Sequence, residues 1–167
     1  ISPYALTKKI GEIICKNYSE QFNIHITCLR FFTVYGERGR PDMAPYKFFD
    51  LISTGKEIIM FGDGTTKRDY TYIGDIVDGI FSAFKKDIRF EIINLGNSKP
   101  ILLKDFISVV EKVANKKAKI VKKEMQKGDV DMTYADIDKA KKLLGYEPKT
   151  TVEEGMKRFS IWYYSNK

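Results

Sequence analysis

Residues 2–9 of the chain read Ser-Pro-Tyr-Ala-Leu-Thr-Lys-Lys, and this stretch decides how the rest of the sequence is interpreted. Ser2 followed by Pro3 is typical of a helix N-terminus, because a serine side chain caps free N–H groups and proline fits the first turn. Apolar side chains then recur at helical spacing, which predicts a helix over residues 4–21. The residues that form this apolar repeat are Ile10, Ile13, Ile14 and Tyr18.

Short apolar runs and amphipathic stretches alternate along the remaining sequence. Runs rich in β-branched and aromatic residues predict strands, the first of them a buried strand, and apolar residues three or four apart predict helices. This order predicts an α/β fold. The predicted strands cover residues 24–32, 57–61, 68–72, 90–95 and 119–121, and the further helices cover residues 46–53, 75–84, 103–113, 136–144 and 151–164.

The composition is that of a globular protein rather than a disordered or fibrous one. Of the 167 residues, 43% are hydrophobic and 31% are charged, so the chain can bury the core of one domain. No apolar stretch approaches the ~20 residues of a membrane span, and we expect a cytoplasmic protein with no membrane partner. Because the chain begins with Ile1 rather than Met, we also expect it to be a fragment of something longer.

Charge and residue usage limit the possible chemistry. A net charge of +7 favours anionic partners. Two cysteines, Cys15 and Cys28, do not make a disulfide framework, and a single histidine, His25, excludes a His-rich metal site and argues against a Ser-His-Asp triad. We therefore predict no metal. A lysine-rich stretch is interpreted as a solvated face rather than a nucleic-acid-binding stripe, and its lysines stand at positions 116, 117, 119, 122, 123 and 127.

Tyr4 and Lys8 are four residues apart and therefore share one face of the predicted helix. A neighbouring ammonium favours the phenolate form of a tyrosine, and a phenolate is a plausible general base for a sugar hydroxyl. Taken by itself the spacing favours an ordinary surface pair, so its interpretation depends on the rest of the sequence.

The segment around Tyr4 resembles the Tyr-x-x-x-Lys segment of the extended short-chain dehydrogenase/reductases, and more narrowly that of the nucleotide-sugar epimerases and dehydratases. Further segments resemble later motifs of the same group, in the same order, over essentially the whole chain. The resemblance implies a Rossmann-like fold with a small α/β substrate-binding domain, and NAD as the cofactor. The segments are residues 29–36 (LRFFTVYG), 61–64 (FGDG), 68–76 (RDYTYIGDI), 94–97 (NLGN), 128–130 (GDV), 134–136 (YAD) and 140–146 (AKKLLGY).

Residues 39–44, Gly-Arg-Pro-Asp-Met-Ala, most resemble a loop of the UDP-glucuronate 4-epimerases. An arginine in a loop shaped by glycine and proline is a good bidentate partner for a carboxylate, although a loop-surface arginine is the alternative. The resemblance implies that Thr33 and Arg40 hold the sugar carboxylate, and it includes Met43 among the substrate-binding residues.

The resemblance also implies a set of contacts to the nucleotide. Arg68 would bind the diphosphate, Asp129 would accept both ribose hydroxyls, and Gln126 stands where many relatives carry an arginine toward the nucleotide. Ile59 and Phe61 match backbone contacts to the uracil. Two alternatives stay open, since Arg68 could form a surface pair with the next residue and Ile59 and Phe61 could be ordinary core residues.

In this family, the N-terminal half carries a Gly-rich turn that binds the NAD pyrophosphate, and a Ser or Thr that joins the Tyr and Lys. Neither is present in this chain. Residues 62–64, Gly-Asp-Gly, do not replace the turn, because Lys67 stands where the third glycine is needed. The resemblance therefore implies the C-terminal half of an NAD-dependent epimerase, with Tyr4 and Lys8 catalytic and with Tyr4, Lys8 and Phe31 touching the cofactor. We expect this chain to be inactive by itself.

The resemblance further implies two structural parts and a dimer. We expect residues 1–35 and 69–95 to contribute to the Rossmann-like core and residues 36–68 and 96–150 to the substrate-binding domain, with residues 151–167 as a C-terminal helix. Family members commonly form homodimers through a bundle that includes the Tyr-x-x-x-Lys helix. The apolar repeat of this helix could serve that interface or be buried within one subunit.

Three other functions stay open at this point. The chain could belong to a UDP-glucose 4-epimerase or a dehydratase, against which Thr33 and Arg40 argue. It could be a non-catalytic module that binds sugar nucleotides. A basic nucleic-acid-binding domain is the third alternative, but the sequence shows neither an aromatic stacking motif nor a groove-reading helix for it.

Overall fold

The computed structural model describes residues 3–125 and 130–166, and within these ranges the α/β fold class is confirmed. The helices are α1 (Pro3–Phe22), α2 (Ala44–Ser53), α3 (Ile73–Phe84), α4 (Leu103–Ala114), α5 (Asp138–Leu144) and α6 (Val152–Ser165). The strands are β1 (Ile26–Phe31), β2 (Thr33–Tyr35), β3 (Glu57–Phe61), β4 (Lys67–Arg68), β5 (Tyr70–Tyr72), β6 (Phe90–Leu95), β7 (Ile101–Leu102) and β8 (Lys119–Lys123).

Local sequence explains where the first helix begins and ends. α1 begins at Pro3, which suits a first turn, and ends at Phe22 because Asn23 takes a left-handed conformation with φ of 53°. These bounds lie one residue outside the predicted range at each end. The short strands β2 and β7 have no counterpart among the predicted strands, and β7 pairs antiparallel with β4.

The described strands pair in twos rather than in one continuous sheet. β1 is parallel to β6, and β2 is parallel to β5. Only Phe32 separates β1 from β2, so the chain passes directly from the first pair to the second. Two site candidates, Phe31 and Thr33, therefore flank one residue at the carboxyl end of a parallel strand, where ligands of α/β folds usually bind.

The first strand differs from its prediction. β1 is only half-buried along its length, and Phe31 at its end is exposed. Among the described strands β1 has one neighbour, β6, so its other edge is uncovered. The interpretation of residues 24–32 as a buried strand is therefore wrong for this chain, because a parallel strand is buried only when its edges and faces are covered.

Helices α2, α4 and α6 enclose the larger of two apolar clusters, which we call the inner core. Phe49, Phe106 and Phe159 are fully buried there. The rings of Phe49 and Phe159 meet edge to face with centroids 5.3 Å apart, and Tyr70 of β5 stacks on Phe106 at 4.3 Å. Such aromatic pairs contribute to stability beyond the apolar area that they bury, so contacts within this part of the chain stabilise the inner core.

A smaller apolar cluster lies between α3, α5 and β6. Ile76 and Ile93 are buried in it. Tyr146, which follows α5, is also buried there, and its hydroxyl donates to the carbonyl of Gly96 at 3.0 Å. The hydrogen bond satisfies the polar end of a buried ring and fixes α5 against the end of β6.

A third group of apolar side chains is exposed, and we call it the open surface. Its members lie on α1, at the end of β1 and on α3. The apolar repeat of α1 is thus not buried within the described chain. No helix in residues 3–125 and 130–166 is long and apolar enough to cross a membrane. The open surface comprises Leu6, Ile10, Ile13, Ile14, Tyr18, Phe22, Phe31, Val77, Ile80, Phe81 and Phe84.

Candidate functional site

An open groove of about 550 Å³ lies between α1 and β1. Tyr4 and Lys8 line it from the helix, and Phe31 lines it from the end of the strand. The structure therefore brings together the predicted catalytic pair and the predicted cofactor contact. The other lining residues are Gly11, Glu12, Cys28, Leu29 and Arg30.

An ion pair between a half-exposed arginine and a buried carboxylate fixes the floor of this groove. Arg30 of β1 donates from Nε to Oε1 of Glu12 at 2.5 Å and from Nη2 to Oε2 at 2.7 Å. The Arg30 guanidinium lowers the pKa of Glu12, whose side chain is largely buried. The bidentate geometry joins α1 to β1 at one register. Glu12 is missing from the predicted site, although its position four residues after Lys8 on the same helix face is a usable signal.

Tyr4 and Lys8 contact each other at the mouth of the groove. The Lys8 Nζ lies 5.2 Å from the centroid of the Tyr4 ring. The phenol is 71% exposed, so both its ring and its hydroxyl are accessible from the groove. The contact is consistent with the shared helix face that the four-residue spacing predicts.

Three tyrosines of β2 and β5 are poorly suited to act as a general base, because their pKa values are raised. Burial raises the pKa of Tyr70 to about 12, and burial also raises the pKa of Tyr35. Burial and the Glu37 carboxylate, which accepts from the hydroxyl at 2.9 Å, raise the pKa of Tyr72. Among these side chains, Tyr4 alone combines exposure with a neighbouring ammonium.

The loop after β2 carries the predicted carboxylate contact. Arg40 and Met43 line a small cavity of about 10 Å³ beside Tyr35 and Tyr46. A turn shapes the loop, because the N–H of Met43 donates to the carbonyl of Arg40 at 3.2 Å. Arg40 and Met43 therefore share one wall, while Thr33 lies at the start of β2, where it pairs in register with Tyr70.

The guanidinium of Arg40 points into an ion pair within its own loop. Its Nε donates to Oδ1 of Asp42 at 3.1 Å, and its Nη2 donates to Oδ2 at 2.6 Å. The hydrogen bonds from Arg40 lower the pKa of Asp42. Asp42 raises the pKa of Arg40, and Tyr4 adds a smaller electrostatic contribution in the same direction.

The predicted nucleotide contacts lie along β3 and β4. Ile59 is partly exposed and Phe61 is half-buried at the end of β3. Arg68 of β4 donates from Nη1 to the carbonyl of Lys67 at 2.9 Å. The remaining two predicted contacts, Gln126 and Asp129, lie outside the described residues.

Asp69 is a buried carboxylate that the predicted site does not include. Its oxygens accept from the backbone N–H groups of Asn97, Ser98 and Ala135 at 2.9–3.0 Å. Asp69 is fully buried, so the surface pair with Arg68 that the sequence leaves open is wrong. The carboxylate instead joins β4 and β5 to the end of β6, and it holds the strand that carries Arg68 in place.

One family model matches nearly the whole chain. The model is described as GDP-mannose 4,6 dehydratase, and it matches residues 1–159. An uncharacterised protein of Methanocaldococcus jannaschii is 55% identical over 167 residues, which are 100% of this chain and 51% of that protein. The UDP-glucuronate 4-epimerase of Thermodesulfobacterium geofontis is 46% identical, over 99% of this chain and 51% of its own length.

Solved structures give the same comparison. A mutant UDP-glucuronic acid 4-epimerase from Bacillus cereus, in complex with UDP-4-deoxy-4-fluoro-glucuronic acid and NAD, superposes with a TM-score of 0.92 at 38% identity. The UDP-glucose 4-epimerase of Thermotoga maritima with UDP-glucose superposes with a TM-score of 0.94 at 30% identity. Each match covers 99% of this chain and 54% of the other. The chain thus spans about half the length of the relatives that it matches.

Proposed function

Because this chain belongs to the GDP-mannose 4,6-dehydratase family, we propose that it is the C-terminal half of an NAD-dependent 4-epimerase acting on UDP-glucuronate and UDP-galacturonate. The observation that carries the proposal is the groove in which Tyr4, Lys8 and Phe31 meet. The 46% identity to a UDP-glucuronate 4-epimerase supports the uronate as substrate. The proposed site of action is the cytoplasm, and the proposed assembly is a homodimer of the complete protein.

The proposed chemistry begins with a proton transfer at the 4-hydroxyl of the sugar. Tyr4 takes this proton as the general base, and Lys8 lies beside it on the same face of α1. The sugar becomes a 4-keto intermediate, turns within the site, and is reduced on its other face. Tyr4 then returns the proton to the new 4-hydroxyl, so the enzyme ends each turnover in its starting protonation state.

The groove suits the cofactor that this chemistry needs. Phe31 offers an aromatic face for a nicotinamide ring, and the Lys8 ammonium suits the hydroxyls of its ribose. NAD, when bound, accepts a hydride from the sugar carbon and gives it back. The residues of this chain would hold only the nicotinamide end, since the Gly-Asp-Gly turn after β3 has Lys67 where a dinucleotide-binding turn needs its third glycine.

Thr33 and Arg40 are proposed to hold the sugar carboxylate, with Met43 against the sugar. A 4-keto uronic acid is a β-keto acid and tends to lose carbon dioxide. A carboxylate held by a bidentate arginine is kept from leaving, which favours epimerisation over decarboxylation. In the complete protein, Arg40→Ala would therefore release carbon dioxide and a decarboxylated sugar nucleotide, and clean epimerisation by that variant would contradict this role.

The remaining contacts extend from the sugar to the base. Arg68 is proposed to bind the diphosphate, because a guanidinium donates to two phosphate oxygens at once. Asp129 and Gln126 are proposed to face the ribose and the nucleotide, and Ile59 and Phe61 the uracil. Together these residues would bind the UDP part of the substrate and would not distinguish one sugar from another.

A UDP-glucose 4-epimerase is the second candidate, and the TM-score of 0.94 with the Thermotoga maritima enzyme favours it. A dehydratase or a non-catalytic sugar-nucleotide binding module would use the same groove. The two candidate epimerases differ in the group that their substrates carry on C5 of the sugar. UDP-glucuronate carries a carboxylate, which can pair with Arg40, whereas UDP-glucose carries an uncharged hydroxymethyl group.

Calorimetric titration of the chain with UDP-glucuronate and with UDP-glucose, at matched salt, separates these candidates. We expect at least about tenfold preference for the uronate, because hydrogen bonds to a charged group contribute roughly 1.5–3 kcal/mol. Arg40→Lys keeps the positive charge but loses the paired N–H donors of the guanidinium. This variant should therefore lose the preference for UDP-glucuronate over UDP-glucose. Arg38→Lys, an exposed arginine of the same loop, is the matched control and should leave the preference unchanged.

Each other result has its own meaning. Equal binding of both nucleotides would reject the uronate assignment and favour the UDP-glucose epimerase. Binding of neither would show that this half does not hold the sugar-nucleotide site by itself. We also expect the chain alone to leave UDP-glucuronate unchanged on incubation with NAD, and formation of UDP-galacturonate would overturn that expectation.

A further inference from the structure

The Arg40–Asp42 pair has the geometry of a bound substrate carboxylate. Two parallel N–H donors of the guanidinium meet the two oxygens of one carboxylate, at 3.1 Å and 2.6 Å. This fork is the arrangement in which an arginine would receive a uronate. Asp42 lies two residues further along the same loop, so the position of a ligand carboxylate is taken by a side chain of the protein.

The pair is also weak enough to be exchanged. The side chains of Arg40 and Asp42 are 76% and 64% exposed, and solvent-exposed ion pairs contribute little to stability because water screens them. The Arg30–Glu12 pair has the same fork but a carboxylate that is only 10% exposed, and its loss would leave a buried charge. Of these two forks, only the Arg40 fork can be opened at low cost.

We propose that Asp42 competes with the sugar carboxylate for the Arg40 fork, and that it thereby limits the preference of the site for a uronate. The proposal rests on the proposed function and concerns how that site distinguishes its ligands. A uronate exchanges one carboxylate for another, so Arg40 keeps its two charged hydrogen bonds. A neutral hexose cannot make this exchange, and Asp42 then stays on Arg40.

The displacement sets a measurable cost on uronate binding. Asp42→Asn removes the competing charge, so the affinity for UDP-glucuronate should rise about two- to fivefold, the range that a weak, water-screened surface pair allows. The affinity for UDP-glucose should stay within experimental error. In the Arg40→Lys background, Asp42→Asn should have no effect on the uronate preference, because Asp42 acts through the Arg40 fork.

Calorimetric titrations of the four chains, namely the original, Asp42→Asn, Arg40→Lys and the double variant, test the proposal. Asp138→Asn makes the same change of net charge at an exposed position in α5 and is the control for nonspecific attraction of anions. Weaker uronate binding by Asp42→Asn would show that Asp42 positions Arg40 rather than competing for it. That outcome would overturn this proposal and leave the proposed function intact.

A second measurement needs no ligand. The Nε–Hε NMR signal of Arg40 should shift on Asp42→Asn and stay in place on Asp138→Asn, because Asp42 accepts the hydrogen bond from that nitrogen. In the original chain, saturating UDP-glucuronate should move this signal less than Asp42→Asn does. An Arg40 signal insensitive to Asp42→Asn would reject the proposal, and absence of uronate-selective binding in every variant would reject both this proposal and the proposed function.

Discussion

The inner core and the open surface are built from the same kinds of residues but differ in what covers them. Phe106 on α4 is completely buried, whereas Phe84 on α3 is 86% exposed. Both lie on helices that are apolar on one side. The inner core closes because α2, α4 and α6 pack on one another, while the open-surface side chains of α1 and α3 have no covering segment in the described chain. An amphipathic pattern therefore predicts that a face will be covered, but not by which segment.

The largest expected effect concerns aromatic residues on the two sides of this comparison. Phe106→Ala should lower the free energy of unfolding by about 3–5 kcal/mol, because it opens a cavity in a packed core. Phe84→Ala is the matched control and should change stability by less than about 0.5 kcal/mol. Urea unfolding followed by circular dichroism measures both. Similar losses for the two variants would mean that Phe84 is covered in solution.

Asp69 tests whether the inner core depends on its polar connection to the smaller cluster. Asp69→Asn keeps the shape but places an amide group where a carboxylate oxygen accepts backbone N–H bonds from Asn97, Ser98 and Ala135. We expect a loss of about 2–3 kcal/mol, since a buried donor then faces another donor. Urea unfolding is again the measurement. A neutral result would show that the backbone groups find other acceptors.

Two helical glycines make a sharper comparison. A Cβ at Gly155 of α6 would overlap the Tyr35 hydroxyl, whereas a Cβ at Gly11 of α1 would meet nothing within 4 Å. Gly155→Ala should therefore destabilise by about 1–3 kcal/mol. Gly11→Ala should stabilise by about 0.5–1 kcal/mol, because alanine is the better helix former.

Thermal unfolding of these two variants gives the sign of each effect. Tyr35→Phe removes the hydroxyl that the new methyl group would meet, so it should recover part of the stability lost in Gly155→Ala. Failure of that rescue would assign the clash to the Tyr35 ring carbons Cζ and Cε2, which would lie 2.8 and 2.9 Å from the new Cβ. A destabilising Gly11→Ala would show that the groove side of α1 is covered in solution.

The smallest expected effect is a dependence of stability on pH at the surface of the inner core. Hydrogen bonds from Lys157 and Lys112 lower the pKa of Glu153 from 4.5 to about 2. A carboxyl with a lowered pKa stabilises the folded state above its unfolded pKa, and this contribution is lost as the pH falls from about 4.5 toward 2. Glu153→Gln should therefore make the melting temperature fall less steeply between about pH 4.5 and pH 2. The same pH dependence in the variant and the original chain would contradict the ion pairs of Glu153 with Lys112 and Lys157.

Much of the fold follows from the sequence because its signals are local. Tyr4 and Lys8 are predicted on one helix face from their spacing. The structure places the Lys8 Nζ 5.2 Å from the centroid of the Tyr4 ring, and both residues line one groove. Strand β6 has its predicted bounds, residues 90–95. Asp69 could not be placed in this way, because its three backbone partners lie 28 to 66 residues away along the chain. The assignment of roles to Thr33, Arg40 and Arg68 stays a prediction until binding is measured.

The sequence by itself determined the order of the helices and of the longer strands, the shared face of Tyr4 and Lys8, and the membership of the family. These depend on periodic spacing and on ordered motifs, which are properties of neighbouring residues. Only the tertiary structure decided that Asp69 is buried, that Asp42 occupies the Arg40 fork, and that the apolar side of α1 is uncovered. Each of these depends on which segments meet in space, and the same local pattern permits either outcome.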